Sequence, residues 1–164
     1  MKVGIVGLGL IGGSLAKAYK EGGHTVYAFD IDEGILDFAI IEGVVDAYLD
    51  KETLKMCDVV LIAVTPQNAI NYLNENKENF APNQLVIDCC GTRQVVCREG
   101  FRLAKENGFI FIGGHPMAGK QFSGYKNSKA DMFKGATMAL IPPIFDDIEL
   151  LSRAKEALLP AKFG

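Results

Sequence analysis

Three glycines near the start of the chain constrain it more than any other feature. Gly7-Leu8-Gly9-Leu10-Ile11-Gly12 has the spacing G-x-G-x-x-G. It lies between a short apolar run, Lys2–Val6, and a stretch in which Leu10, Ile11, Leu15 and Ala18 recur with helical periodicity. So short a pattern is weak alone, but between a strand and a helix it specifies a turn over which a ligand can approach the backbone. Gly7 permits the tight turn, Gly9 admits a pyrophosphate, and Gly12 lets the helix pack closely on the strand. The free N–H groups and dipole at the start of the helix favour the anionic phosphates. A second β-rich run, Thr25–Phe29, ends at Asp30. An acid at that position, about 20 residues on, accepts hydrogen bonds from a ribose 2′-hydroxyl. Ile31 and Asp32 follow it, with no Arg or Lys, so a 2′-phosphate would meet two negative charges. The pattern predicts NAD rather than NADP.

Beyond this unit the chain keeps alternating. Ile35–Glu42 reads as a helix stopped by Gly43, and Lys51–Lys55 as a polar stretch. Asp58–Val64 is a buried strand, Gln67–Phe80 a helix, Leu85–Ile87 a strand ending at Asp88, and Val95–Asn107 a helix. Phe109–Ile112 is read as a strand followed by a loop, residues 113–119. Ala136–Ile141 is a last strand before Pro142-Pro143, and Asp147–Leu158 a closing helix. Continuously apolar strands alternating with helices are the mark of a parallel sheet covered on both faces. The expected fold is therefore α/β, a Rossmann-type, doubly wound, mostly parallel sheet, with residues 1–164 forming one dinucleotide-binding domain. Ligands of such sheets lie across the carboxyl ends of the strands. There, Val64-Thr65-Pro66 and Asp88-Cys89-Cys90-Gly91-Thr92 become the walls. The expected cofactor contacts are Gly7, Gly9, Leu10, Ile11, Gly12, Asp30, Val64, Thr65, Pro66, Cys90 and Gly91.

Charge and composition remove other classes. The net charge is −3 with no long run of either sign, which argues against nucleic acid or an anionic membrane as partner. No apolar stretch approaches the roughly 18–20 residues of a membrane span, and no signal peptide is read at the N-terminus. Cys57, Cys89, Cys90 and Cys97 lack metal-ligand spacing, so no metal is expected; reduced, mostly buried thiols in a cytoplasmic protein are.

His115 follows a predicted strand at the same edge of the sheet as the cofactor. Histidine changes charge near neutral pH and can take a proton from a substrate hydroxyl. Its position alone equally fits a structural residue of a tight loop. The loop Gly113-Gly114-His115-Pro116-Met117-Ala118-Gly119-Lys120, with Ser123-Gly124 after it, resembles the signature loop of prephenate dehydrogenases. Asp131-Met132-Phe133-Lys134-Gly135, Leu140-Ile141-Pro142-Pro143 and the opening Gly7–Ala16 resemble that family too. The resemblance covers most of the chain. It implies that His115 is the catalytic group in the NAD-dependent oxidative decarboxylation of prephenate to 4-hydroxyphenylpyruvate, in tyrosine synthesis. Arogenate or another small acid as substrate, or a non-catalytic NAD-sensing module, are the alternatives.

Two positions depart from the family pattern. Gly91 stands where a serine is usual in Asp-x-x-Ser-x-Lys, and Gln121 where a glutamate is usual. Thr92 and Lys120 are expected to contact substrate, Thr92 replacing the missing hydroxyl. Arg93 and Lys126 are further cations near a dicarboxylate, although each also fits a solvated surface charge. The resemblance implies a second, helical domain that forms a homodimer and completes the substrate site. The chain ends where that domain is expected to begin, so the fragment is expected to bind NAD and turn prephenate over poorly.

Overall fold

A computed structural model describes residues 1–91, 94–119 and 122–164. In chain order the elements are β1 (Lys2–Val6), α1 (Leu10–Glu21), β2 (Thr25–Phe29), α2 (Glu33–Ile41), β3 (Ala47–Tyr48), α3 (Lys51–Met56) and β4 (Val59–Ile62). They continue with α4 (Pro66–Asn76), β5 (Leu85–Asp88), α5 (Gln94–Asn107), β6 (Ile110–Met117), β7 (Thr137–Ile141) and α6 (Ile148–Ala157). The strands described form one sheet in the order β3-β2-β1-β4-β5-β6-β7. Every pairing is parallel except β6 with β7.

The strand order follows from burial on both faces. Along β4, Val59 and Leu61 join one core with Leu15 and Tyr19 of α1, Leu36 of α2 and Leu150 of α6. Val60 and Ile62 point the other way and pack with Leu54 of α3, Leu73 of α4 and Leu103 of α5. Alternation of apolar residues to both faces is why these strands read as continuous apolar runs. The sheet is therefore the doubly wound Rossmann arrangement. No helix among the described residues is long and apolar enough to cross a membrane.

Local capping explains where the elements depart from the sequence reading. Helix α2 begins at Glu33 because the Asp32 carboxylate accepts the N–H groups of Gly34 and Ile35 at 3.0 and 3.3 Å. The polar stretch at Lys51 is helix α3, nucleated by a capping box. Asp50 accepts from the backbone of Glu52 and Thr53, and the Thr53 hydroxyl accepts from the Asp50 N–H.

The larger departure is at residues 113–117. The sequence reads them as loop, yet they extend β6 and pair antiparallel with β7, His115 opposite Ala139. Glycine and proline weigh against a strand by propensity. Here the two glycines are required by packing. A Cβ on Gly113 would lie 2.5 Å from Cys97 Sγ, and one on Gly114 would lie 2.3 Å from the Asp88 carbonyl oxygen.

Candidate active site

The glycine turn divides its tasks in space. Gly7 has φ +96°, and its N–H donates to the Phe29 carbonyl at 2.7 Å. A Cβ on Gly7 would lie 2.4 Å from the Ala63 carbonyl oxygen, and one on Gly12 would lie 1.7 Å from the Gly7 carbonyl oxygen. These two glycines allow β1, α1 and β4 to meet. Gly9 is different: nothing stands within 4 Å of the place its Cβ would take. It is the N-cap of α1 and supplies no side-chain cap, so its own side chain leaves the first-turn N–H groups unclaimed. Asp30 is held from both sides. One carboxylate oxygen accepts the Leu8 N–H at 2.7 Å and the other accepts the Asp32 N–H at 2.8 Å.

Two hollows meet over this turn. The first, about 350 Å³, is lined by Gly7, Gly9, Phe29, Asp30, Ile31, Val64 and Thr65, among others. The second, about 690 Å³, runs over Gly9, Leu10 and Ile11 between Ala63–Pro66 and Cys90 on one side and residues 122–124 on the other. They share Gly9, Ala63, Val64 and Thr65 and form one trough along the carboxyl ends of β1, β4 and β5. The trough therefore gathers Gly7, Gly9, Leu10, Ile11, Asp30, Val64, Thr65, Pro66 and Cys90, whereas Gly12 is buried beneath it. Thr92, Arg93, Lys120 and Gln121 lie outside the described residues. Lys126 lines a further hollow of about 730 Å³, which shares Leu10 and Phe122 with the second and takes in Gly119, Lys129 and Met132. A cavity of about 800 Å³ at the amino end of β6, lined by Phe101, Phe109 and Ile144 among others, holds none of the predicted site residues.

Two contributors escape the sequence reading. Ile31, 77% exposed beside Asp30, puts an apolar side chain on the wall of the first hollow. Its adjacency to the strand-end acid is the sequence signal for it. Phe122 enters the trough from the far side with no local pattern to announce it, beside Ser123 and Gly124, which the family resemblance already singles out.

Gly91 and His115 are not among the residues lining either hollow; they follow beyond Cys90, the last lining residue on that side. Gly91, next to Cys90, has φ +105°, and a Cβ there would lie 3.3 Å from His115 Nδ1. Nδ1 is buried with no hydrogen-bond partner among the described residues, and so is Oδ2 of Asp88. The other Asp88 oxygen accepts from the Cys90 N–H at 3.1 Å and from its thiol at 2.7 Å. Burial raises the Asp88 carboxyl above the ordinary range, against the lowering effect of the bonds from Cys90. Burial likewise pushes the Cys57 thiol up to about 12, and it raises Cys89 and Cys97. These thiols are poor nucleophiles at neutral pH. The arrangement suits an elongated, phosphate-bearing ligand laid over the helix start, with its far end beside an imidazole.

Residues 15–163 match a family model described as prephenate dehydrogenase, nucleotide-binding domain. The glycine turn precedes that segment, so its reading rests on geometry. The prephenate dehydrogenase of Bacillus subtilis is 31% identical over 159 residues, covering 94% of this chain and 43% of that protein. The chain thus spans less than half the length of this curated relative. Among solved structures, the arogenate dehydrogenase of Synechocystis is 27% identical with a TM-score of 0.89, over 100% of this chain and 58% of that one. The prephenate dehydrogenase of Aquifex aeolicus, in complex with hydroxyphenyl propionate and NAD+, has a TM-score of 0.81 at 23% identity. It covers 100% of this chain and 58% of that one, a likeness of fold.

Proposed function

The chain belongs to the prephenate dehydrogenase family, matching its nucleotide-binding domain, and from that premise we propose that it is the cofactor-holding, catalytic part of an NAD-dependent prephenate dehydrogenase. The reaction is the oxidative decarboxylation of prephenate to 4-hydroxyphenylpyruvate, in tyrosine synthesis in the cytoplasm. The observation that carries the reading is the trough, which runs from Asp30 over the uncapped start of α1 to the loop that places Gly91 against His115.

The residues present fit NAD. The open space above Gly9 lets a pyrophosphate reach the first-turn N–H groups of α1. Asp30 accepts from the ribose hydroxyls, and Ile31 covers the adenine. A 2′-phosphate would be set against both Asp30 and Asp32. Thr65, Pro66 and Cys90 wall the nicotinamide half. Bound NAD supplies the hydride acceptor. His115 polarises or deprotonates the ring hydroxyl of the substrate while hydride leaves the same carbon. Carbon dioxide leaves the opposite ring carbon, and the ring becomes aromatic. Gly91 contributes no hydroxyl to His115 Nδ1, which has no hydrogen-bond partner among the described residues.

Residues 1–164 act as one dinucleotide-binding domain in this reading. A helical second domain forms the homodimer and adds cations for the two substrate carboxylates; Thr92 and Lys120 meet the substrate from this half. A second reading, arogenate as substrate, is supported by the likeness to the Synechocystis enzyme, named as an arogenate dehydrogenase.

The test is NADH formation by the full-length protein, followed at the nicotinamide absorbance, with prephenate and then arogenate. Turnover of prephenate is expected. His115→Asn should lower kcat by roughly 10²–10⁴ while NAD affinity holds. Turnover of arogenate alone would assign the second reading, and turnover of neither, with NAD bound, would overturn both.

A further inference from the structure

The first turns of α1 carry Gly12-Gly13-Ser14, one glycine and one serine more than the phosphate turn requires. Ser14 is fully buried. Its hydroxyl accepts the N–H of Lys129 at 3.0 Å and donates to Met132 Sδ at 3.2 Å, both more than a hundred residues away. A Cβ on neighbouring Gly13 would lie 2.8 Å from Ser128 Oγ and from the ring of Tyr125, so only glycine lets that segment lie flat on the helix. One turn further along α1, Lys17 donates to the Ser128 carbonyl at 3.0 Å, and its ammonium sits 4.7 Å from the centre of the Tyr125 ring. The Tyr125 hydroxyl donates to Glu42 at 2.6 Å. One face of α1, together with the residue that ends α2, therefore pins residues 125–132.

The same segment begins with Phe122, Ser123 and Gly124, the outer wall of the trough over Gly9–Ile11. It contributes nothing to the hollow that holds Asp30 and Ile31. We propose that Ser14 is a positioning residue for the nicotinamide half of the trough. Its hydroxyl ties residues 122–132 to the cofactor helix and so fixes the distance between that wall and the helix start. The idea rests on the NAD reading above and adds a division of labour to it: the tie governs one half of the cofactor site only.

Calorimetric titration of the chain with NAD and with ADP, which carries the adenosine and phosphates but no nicotinamide, tests this. Ser14→Ala is expected to weaken NAD by about tenfold, the worth of one buried hydrogen bond. ADP affinity should stay within about twofold of the wild type. Hydrogen exchange across residues 122–132 should quicken. Tyr125→Phe keeps the ring over Gly13 and loses only the bond to Glu42. It should give the same split, smaller in size, and decides the matter alone should Ser14→Ala not fold. Equal losses for both ligands, or unchanged NAD affinity in the folded variants, overturn the inference and leave the cofactor reading standing. A wild-type chain that binds neither ligand overturns both.

Discussion

Alanine at Gly9 and alanine at Gly12 ought to have opposite consequences, although the two glycines share one motif. At Gly12 the new Cβ would be 1.7 Å from the Gly7 carbonyl oxygen, where real contacts essentially never fall under 3.0 Å. Helix or turn must retreat by roughly 1.3 Å, and the atom met is backbone, which has no rotamer to escape into. Overpacking of this kind costs about 3 kcal/mol or more, a large part of the roughly 5–15 kcal/mol that holds a domain folded. At about 2–4 °C per kcal/mol for a chain of this length, Tm should drop by roughly 6–12 °C. At Gly9 the backbone is extended, with φ −82°, and the space is open. Losing glycine at an N-cap costs under about 1 kcal/mol, and the stiffer unfolded chain offsets a similar amount. Tm should therefore stay within about 4 °C. The methyl would instead stand where the pyrophosphate must lie. Displacing it from one charge-assisted hydrogen bond costs about 1.5–3 kcal/mol, or roughly 10- to 150-fold in NAD affinity. Thermal melts by circular dichroism and calorimetric NAD titrations measure both quantities. A Gly9→Ala chain that binds NAD like the wild type would refute the placement of the pyrophosphate. A Gly12→Ala chain with an unchanged melt would refute the packing argument.

Asp30→Asn keeps the shape and one acceptor for the backbone but removes the charge. The preference for NAD over NADP should narrow by about tenfold, and equal ratios in mutant and wild type would count against Asp30 as the discriminating group. Asp88 governs a pH dependence. Its carboxyl is raised by burial, so its contribution to stability is fully present below the ordinary value of 3.8 and is lost as pH rises through the raised value. Urea denaturation of the wild type should accordingly show stability falling across that window. Asp88→Asn should flatten the slope, and an unaltered slope would show that another group titrates there.

What the sequence determines by itself is local. The turn at Gly7–Gly12 is written in adjacent residues because a positive φ at Gly7 and the close approaches at Gly7 and Gly12 exclude side chains. Asp30 is legible because a strand of known length places its end. The doubly wound sheet is legible because two-sided burial leaves unbroken apolar runs. Tertiary structure alone decided the rest. Gly113-Gly114-His115-Pro116-Met117 has weak strand propensity and becomes strand through its partner β7 and its contact with Asp88 and Cys97. That Gly91 faces His115, and that Ser14 holds Lys129 and Met132, are pairings between distant parts of the chain. Dihedral freedom and hydrophobic period act over a few residues and carry no information about such pairings. Packing sets them, once the sheet has brought the loops to its carboxyl edge.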